Sequence, residues 1–133
     1  LSMLPGTNRS ADRFVRASFY LNAIPKTANI QMAVAGTFSV IRNVSVPLGI
    51  TTPDHPNISS TLWRTVSDQK NRVLYFESAL EPSLFWVDMR NADFSKGAPV
   101  KVLVIQNGRF FAGDASSYFE PAKPFEFLGE DQL

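Results

Sequence analysis

The chain offers few residues with which to build an active site, and Arg13 is the most suggestive of them. It follows Asp12 and precedes Arg16, in a segment that opens with a Pro-Gly pair. An arginine carries its charge at all working pH values and presents five N–H donors. It can therefore stabilise negative charge that develops during a reaction. Taken alone, however, an arginine near a helix start more often faces solvent or pairs with an acid.

The other usual groups of a catalytic centre are missing from the sequence. There is no cysteine, and the only histidine is His55, in a proline-rich loop where a surface position is expected. A single histidine gives no ligand pair for a metal and little basis for a Ser-His-Asp triad. Asp12 and Asp88 lack a second carboxylate at short spacing, and no glycine-rich phosphate loop is present. The residues alone define no complete active site, and they predict neither a metal nor a cofactor.

Composition disfavours two classes of partner. The chain has 13 basic and 12 acidic residues, with a formal net charge of +1 and no run of Lys or Arg, which argues against nucleic-acid binding. No stretch approaches the roughly 18 apolar residues that a membrane span requires. At 133 residues, 44% of them hydrophobic, the chain has the size of one domain and enough apolar side chains for a core.

A first helix is predicted over about residues 10–22. Ser10 is the expected N-cap, because its hydroxyl can accept from free amides of the first turn, and Pro25 ends the element. Arg13 and Arg16 lie off the centre of the stripe that is expected to be buried. The members of that stripe are Phe14, Ala17, Ser18 and Leu21.

A second helix is predicted over about residues 28–42, with Thr27 as its expected cap. Its apolar positions repeat at helical spacing, and the small residues around Gly36 suggest close packing against another element. The stripe consists of Ile30, Ala33, Val34, Thr37, Phe38 and Ile41.

After a proline-rich loop the period of the apolar residues changes to two. Residues 61–66 and 72–78 predict a hairpin around a turn at 68–71, residues 84–89 a third strand, and residues 100–105 a candidate fourth. Two helices followed by an antiparallel meander define an α+β class. The strands look apolar on both faces, so a further layer is expected to cover the sheet.

No domain boundary is visible, so residues 1–133 are treated as one unit with an extended tail from about residue 109. Two prolines extend residues 119–128, where phenylalanines recur at intervals. Such a tail either packs on its own domain or acts as an arm that clasps a neighbouring subunit.

The segment 4–17, Leu-Pro-Gly-Thr-Asn-Arg-Ser-Ala-Asp-Arg-Phe-Val-Arg-Ala, resembles a stretch of the choloylglycine hydrolase family, the bile salt hydrolases and penicillin V acylases. Weaker likenesses follow in the family's order at residues 45–50, 61–68, 72–78 and 85–88. The resemblance covers most of the chain, from Leu4 to about Val104. It implies an N-terminal nucleophile hydrolase, a four-layer αββα sandwich, with this chain as its carboxyl-terminal portion.

The resemblance also implies an activity, the hydrolysis of a linear amide bond. In the family an amino-terminal cysteine attacks the amide carbonyl, and the arginine matching Arg13 stands beside it. The implied partner is therefore an amino-terminal portion that carries this cysteine, and the chain alone is expected to be inactive. The implied substrates are small N-acyl amides such as penicillin V, conjugated bile salts or N-acyl homoserine lactones. The family favours a homo-oligomer, a tetramer.

Two departures from the family pattern matter. The family often has Asp where this chain has Thr7, and Ser where it has Asp12, which could pair with Arg13 or Arg16. The tail looks more like the Gram-negative branch, which implies a periplasmic location, with the cytoplasm as the alternative. Two other functional classes stay open: a non-catalytic binding or assembly module that retains half of the fold, and a different enzyme whose site is not visible in the sequence.

Overall fold

The computed structural model describes residues 3–51, 53–54, 56, 59–81, 83–106, 108–127 and 129. The predicted loop position of His55 lies outside the described residues. Two helices come first along the chain, followed by a small mixed sheet and a carboxyl-terminal segment that returns to that sheet.

The two helices lie close to where helical periodicity predicts them. Helix α1 spans Ser10–Ala23 and helix α2 spans Ile30–Asn43. The chain leaves α1 at Ile24, whose ψ of 142° is extended, as expected for a residue before a proline. Both helices therefore begin and end within two residues of the prediction.

The predicted helix caps are wrong. Arg9 occupies the N-cap position of α1 and makes no side-chain cap hydrogen bond, so Ser10 is already the first helical residue. Asn29, not Thr27, caps α2, because the Asn29 side chain accepts from the Met32 amide at 3.0 Å. The Thr27 hydroxyl instead accepts from the Asn29 amide at 3.1 Å. It holds the turn that precedes the cap.

The predicted buried stripe of α1 is also wrong for the described part of the chain. Phe14 is 72% exposed and Leu21 is 45% exposed, whereas Arg16 is only 9% exposed. Hydrogen bonds from Arg16 to the preceding segment turn the arginine side of the helix inward. The two large members of the predicted stripe, Phe14 and Leu21, are thus exposed in the described structure, whereas Ala17 and Ser18 are partly buried. In α2 the prediction is right for Phe38, which is buried along with Val40.

The predicted meander is confirmed. Strands β1 (Trp63–Asp68), β2 (Val73–Ser78) and β3 (Leu84–Asp88) pair antiparallel in sequence order. The predicted fourth strand shrinks to β4 (Lys101–Val102). A short 3-10 helix, Met89–Asn91, follows β3.

Two short strands escape the sequence pattern. Strand β5 (Gly113–Asp114) adds to the far edge of the sheet, parallel to β3. Strand β6 (Glu120–Pro121) pairs antiparallel with β4 in a second, two-stranded sheet. Two-residue strands are too short to show a period, and β5 opens with Gly113 at a φ of +82°, a conformation that favours glycine.

The two faces of the main sheet have different neighbours. Helix α2 lies over the face that carries Arg64, Val66 and Glu77. On the other face Phe76 stacks on Phe85 at 5.2 Å between ring centroids. There Val87 joins the core, which the carboxyl-terminal segment covers through Leu103, Ile105, Phe111, Ala115 and Phe119.

This second face is covered only near β3. Toward β1, Trp63 remains 60% exposed and Leu74 36% exposed, and alternation along the strands places both on the same face as Phe76. The tail divides in the same way: Phe119 packs on the core, whereas Phe125 and Phe127 are 81% and 89% exposed and contact each other. Part of the further layer expected from the sequence is thus absent from the described residues.

Phe38 is the largest fully buried side chain in the described part of the chain, at 1% exposure. We expect Phe38→Ala to lower the free energy of unfolding by about 3–5 kcal/mol, through lost burial and the cavity left behind. The matched control is Phe94→Ala, since Phe94 is 72% exposed; its expected effect is within about 0.5 kcal/mol. Urea unfolding of the complete protein measures both. Equal losses in the two variants would contradict the assigned core.

Candidate functional site

Arg13 lies in the first turns of α1, half-buried, and one hydrogen bond fixes its guanidinium. Its Nε donates to the backbone carbonyl of Val44 at 2.6 Å, and Val44 is the residue that closes the carboxyl end of α2. No carboxylate among the described residues forms an ion pair with Arg13. Its Nη atoms likewise donate to no acceptor within the described ranges. The group is therefore positioned yet keeps its outward donors for a ligand or another part of the protein.

Arg16 has a different role, which the sequence analysis did not identify. Its Nη1 donates to the carbonyls of Pro5 and Thr7 at 2.7 and 2.8 Å. One charged donor thus satisfies two backbone acceptors of the Pro-Gly turn and holds that turn against α1. The sequence contained one indication that Arg16 turns inward with Arg13: the two arginines are three residues apart, so they share a helix face.

Asp12 does not pair with Arg13 or Arg16, contrary to the possibility raised by the sequence. Its carboxylate accepts a short hydrogen bond from the hydroxyl of Thr7, and that hydroxyl also accepts from the Arg9 amide at 3.2 Å. The two positions at which the chain departs from the family pattern, Thr7 and Asp12, therefore contact each other. Asp12 serves the turn before α1 and leaves the charge of Arg13 without a carboxylate partner in the described structure.

A second charged cluster lies beside the end of α2. Glu77 on β2 has a side chain only 14% exposed and bridges two arginines. Arg42 approaches it with Nε and Nη2, and Arg64 with Nη1 at 3.2 Å. Arg64 also donates from Nε to the Ser45 hydroxyl at 2.8 Å.

The Glu77 carboxyl is held ionised by these contacts. Burial acts to raise its pKa, but the hydrogen bond and charge of Arg42, together with Arg64, outweigh it and lower the pKa. The same bond raises the pKa of Arg42. A lowered folded-state pKa gives stability that is present above the ordinary carboxyl pKa and is lost as the pH falls through the folded-state value. The cluster is therefore intact at neutral pH.

The end of β3 carries a local ion pair beside an apolar concavity. The Arg90 side chain hydrogen-bonds Asp88, the Arg90 amide adds a second bond, and together they lower the pKa of Asp88 to about 2. The adjoining concavity measures about 410 Å³ and is mainly apolar, with Val87, Met89 and Phe119 in its lining. It brings no nucleophile close to Arg13.

The described residues offer neither a metal site nor a membrane-spanning helix. They contain no group of three or more His, Cys, Asp or Glu side chains placed to hold a metal ion. None of the helices in the described ranges is both long enough and apolar enough to cross a membrane.

Comparison with known proteins defines the class. Residues 2–102 match the family model of linear amide C–N hydrolases, choloylglycine hydrolase family. The chain belongs to the choloylglycine hydrolase family.

Two penicillin V acylases are among the proteins that this chain resembles. The chain is 47% identical, over 142 aligned positions, to the penicillin V acylase of Pectobacterium atrosepticum, an alignment that covers 96% of this chain and 38% of that protein. The solved structure of penicillin V acylase from Agrobacterium tumefaciens matches with a TM-score of 0.87 and 58% identity, over 96% of this chain and 41% of that one. The α+β fold predicted from the sequence is thereby confirmed, and the chain spans about two fifths of the length of the relatives it matches.

The Arg16 clamp generates a stability prediction. Arg16→Met leaves the carbonyls of Pro5 and Thr7 without their charged donor, so we expect the complete protein to lose about 1–3 kcal/mol of unfolding free energy. The exposed Arg9 provides the control, and Arg9→Met should change stability by less than about 0.5 kcal/mol. Chemical denaturation compares the two variants. A loss confined to Arg9→Met would refute the clamp.

Proposed function

We propose that this chain forms the carboxyl-terminal part of a linear amide C–N hydrolase of the penicillin V acylase type. The cysteine that acts as nucleophile is supplied by an amino-terminal portion outside this chain. The observation that carries the proposal is the state of Arg13: half-buried, fixed through Nε on Val44, and with its Nη atoms unpartnered among the described residues. Family membership supplies the reaction class.

Arg13 has the chemistry that such a reaction needs. A nearby cation lowers the pKa of a thiol and so increases the reactive thiolate fraction. The same cation stabilises the negative oxygen that forms when the thiolate adds to an amide carbonyl. Because Nε is already engaged by Val44, the guanidinium need not reorient as that charge develops. The α-amine of an amino-terminal cysteine has a pKa of about 8. It is therefore suited to accept the proton of the thiol and to pass it to the leaving amine.

The amino-terminal portion also has a surface on which to pack. Trp63 and Leu74 lie exposed on the sheet face that the carboxyl-terminal segment leaves uncovered, and Phe14 lies exposed on α1. A solvated sheet face normally carries polar side chains. The relatives contain about three fifths of their length beyond the part matched here, which is ample chain to supply a second sheet and the outer helices of a four-layer αββα sandwich.

The proposed substrate is a small N-acyl amide of the penicillin V type, because the relatives bear that name. Conjugated bile salts and N-acyl homoserine lactones join an apolar acyl group to an amine through the same bond, and they are the alternatives. We further propose a periplasmic homo-oligomer, a tetramer, on the strength of the family resemblance. The exposed rings of Phe125 and Phe127 are consistent with an arm that reaches a neighbouring subunit.

The role of Arg13 is tested by substitution in the complete protein. Arg13→Ala should lower kcat for penicillin V hydrolysis by about 10²–10³-fold, the range expected when an oxyanion-stabilising donor is removed. The variant should stay folded, with its free energy of unfolding lowered by about 1–3 kcal/mol, because the Val44 carbonyl loses its charged donor. Arg9→Ala serves as the control, since it removes an exposed arginine from the same segment. Near-normal turnover of Arg13→Ala would refute the assignment.

The origin of the nucleophile is tested by denaturing intact-mass analysis of the purified protein, with amino-terminal sequencing of each species. The proposal expects the active material to contain a polypeptide that begins with cysteine, joined to this chain or bound to it. Active material without such a polypeptide would contradict the proposal. Inactive material that contains this chain alone would favour a non-catalytic binding or assembly module.

A further inference from the structure

The position of the Arg13 guanidinium is set by one backbone atom, the carbonyl oxygen of Val44. The Nε–O distance is 2.6 Å, and this is the only side-chain hydrogen bond that Arg13 makes within the described residues. A guanidinium is planar and rigid. The position of the Val44 carbonyl therefore determines the direction in which the Nη atoms of Arg13 point.

Val44 in turn is held on both sides. Its amide donates to the carbonyls of Val40 and Ile41 at 3.2 Å each, which closes the last turn of α2. The next residue, Ser45, donates from its hydroxyl to the Ile41 carbonyl at 2.8 Å. The amide of Val46, buried at 5% exposure, then donates to the Thr61 hydroxyl at 2.9 Å.

The charged cluster at Glu77 grips the residues on either side of Val44. Arg42, two residues before it, pairs with Glu77 through Nε and Nη2. Ser45, one residue after it, accepts from Arg64, whose Nη1 pairs with Oε2 of Glu77, an oxygen that Arg42 Nε also contacts. The Ser45 amide donates to the Arg42 carbonyl at 3.2 Å and closes a ring, Arg42–Glu77–Arg64–Ser45. In this ring a single carboxylate on β2 anchors both flanks of the Val44 carbonyl to the sheet.

The Glu77–Arg64 side of this ring differs from the surface ion pairs of the chain, whereas the Arg42 side chain is 51% exposed. The side chains of Glu77 and Arg64 are only 14% and 18% exposed, so water screens their contacts less than it screens a pair at the surface. The Arg109–Glu120 pair is 48% and 50% exposed, and such pairs contribute little. Removal of one member of a shielded pair leaves the others with uncompensated charge, which should release the segment that the ring holds.

We propose that Glu77, with Arg64 and Ser45, is a positioning residue for Arg13 that acts through the Val44 carbonyl. This inference rests on the proposed function of Arg13. The ring touches neither substrate nor nucleophile in this account. It aims the Nη atoms of Arg13, and misplacement of a catalytic group by about 1 Å can cost up to 10²-fold in rate.

A double-mutant cycle in the complete protein separates positioning from general stability. Glu77→Gln keeps the side-chain volume and removes the charge. We expect it to lower kcat for penicillin V at least about tenfold, with KM changed less than about twofold. In an Arg13→Ala background the same substitution should have no further effect on kcat, because the group it aims is already gone. Ser45→Ala is the second variant and should follow the same pattern with a smaller loss, and Glu120→Gln is the control, expected to leave kcat unchanged in both backgrounds.

Equal losses from Glu77→Gln with and without Arg13 would overturn the inference, since they would indicate a structural effect independent of the arginine. If Arg13→Ala lowers kcat as proposed, unchanged kcat in Glu77→Gln with Arg13 present would overturn it as well. A second readout does not depend on catalysis: the hydrogen-exchange rate of the Arg13 Nε proton in ¹⁵N-arginine-labelled protein, assigned by its loss in Arg13→Lys. We expect faster exchange in Glu77→Gln than in wild type or Glu120→Gln, and an unchanged rate would overturn the inference. If Arg13→Ala proved fully active while Glu77→Gln accelerated this exchange, the proposed function would fail and the positioning of Arg13 by the ring would stand.

Discussion

The arrangement of the described structure depends on the ion pairs that the Glu77 carboxylate forms with Arg42 and Arg64. Helix α2 stands between α1 and the sheet, and its last turn is tied to the sheet through Arg42 and Glu77. Arg64 pairs with the same carboxylate and also donates to the hydroxyl of Ser45, which directly follows the helix. Helix α1 is then joined to that end of α2 by the bond from Arg13 to Val44. A shielded carboxylate between two arginines is thus connected, through the residues around Val44, to Arg13, whose Nη atoms have no acceptor in the described structure.

The two arginines of α1, Arg13 and Arg16, have different roles within one family motif. Arg13 and Arg16 are three residues apart and both turn inward, yet their surroundings differ. Arg16 donates from Nη1 to the carbonyls of Pro5 and Thr7, and these two hydrogen bonds stabilise the turn. Arg13 uses only Nε. Asp12 is an acid close to the candidate site, but it pairs with the Thr7 hydroxyl rather than with either arginine. It therefore does not neutralise the charge of Arg13.

Sequence reasoning recovered the elements with long, regular periods and failed where geometry is decided by contacts distant in sequence. The burial of Phe38 in α2 and the antiparallel pairing of β1 to β3 follow from local signals, and the structure confirms both. The burial of Arg16 instead of Phe14 depends on hydrogen bonds to the loop carbonyls of Pro5 and Thr7, so hydrophobic periodicity predicted the wrong face. Strand β5 pairs across 28 residues with β3, and Glu77 meets Arg42 across 35. No local pattern encodes such pairings. Arg13 was singled out through its resemblance to a family motif, because its own residue type would have suggested a surface position.

The central claim is that the Nη atoms of Arg13 face a cysteine nucleophile contributed by another part of the protein. The most direct measurement is the distance from those atoms to the cysteine Sγ and the scissile carbonyl oxygen, in a crystal structure of the complete protein with a slowly hydrolysed penicillin V analogue bound. The account predicts an Nη atom within hydrogen-bond reach of one of these atoms, about 2.6–3.2 Å, or bridged to it by a single water. A guanidinium turned toward solvent, or paired with a carboxylate of the amino-terminal portion and remote from the reacting atoms, would contradict it.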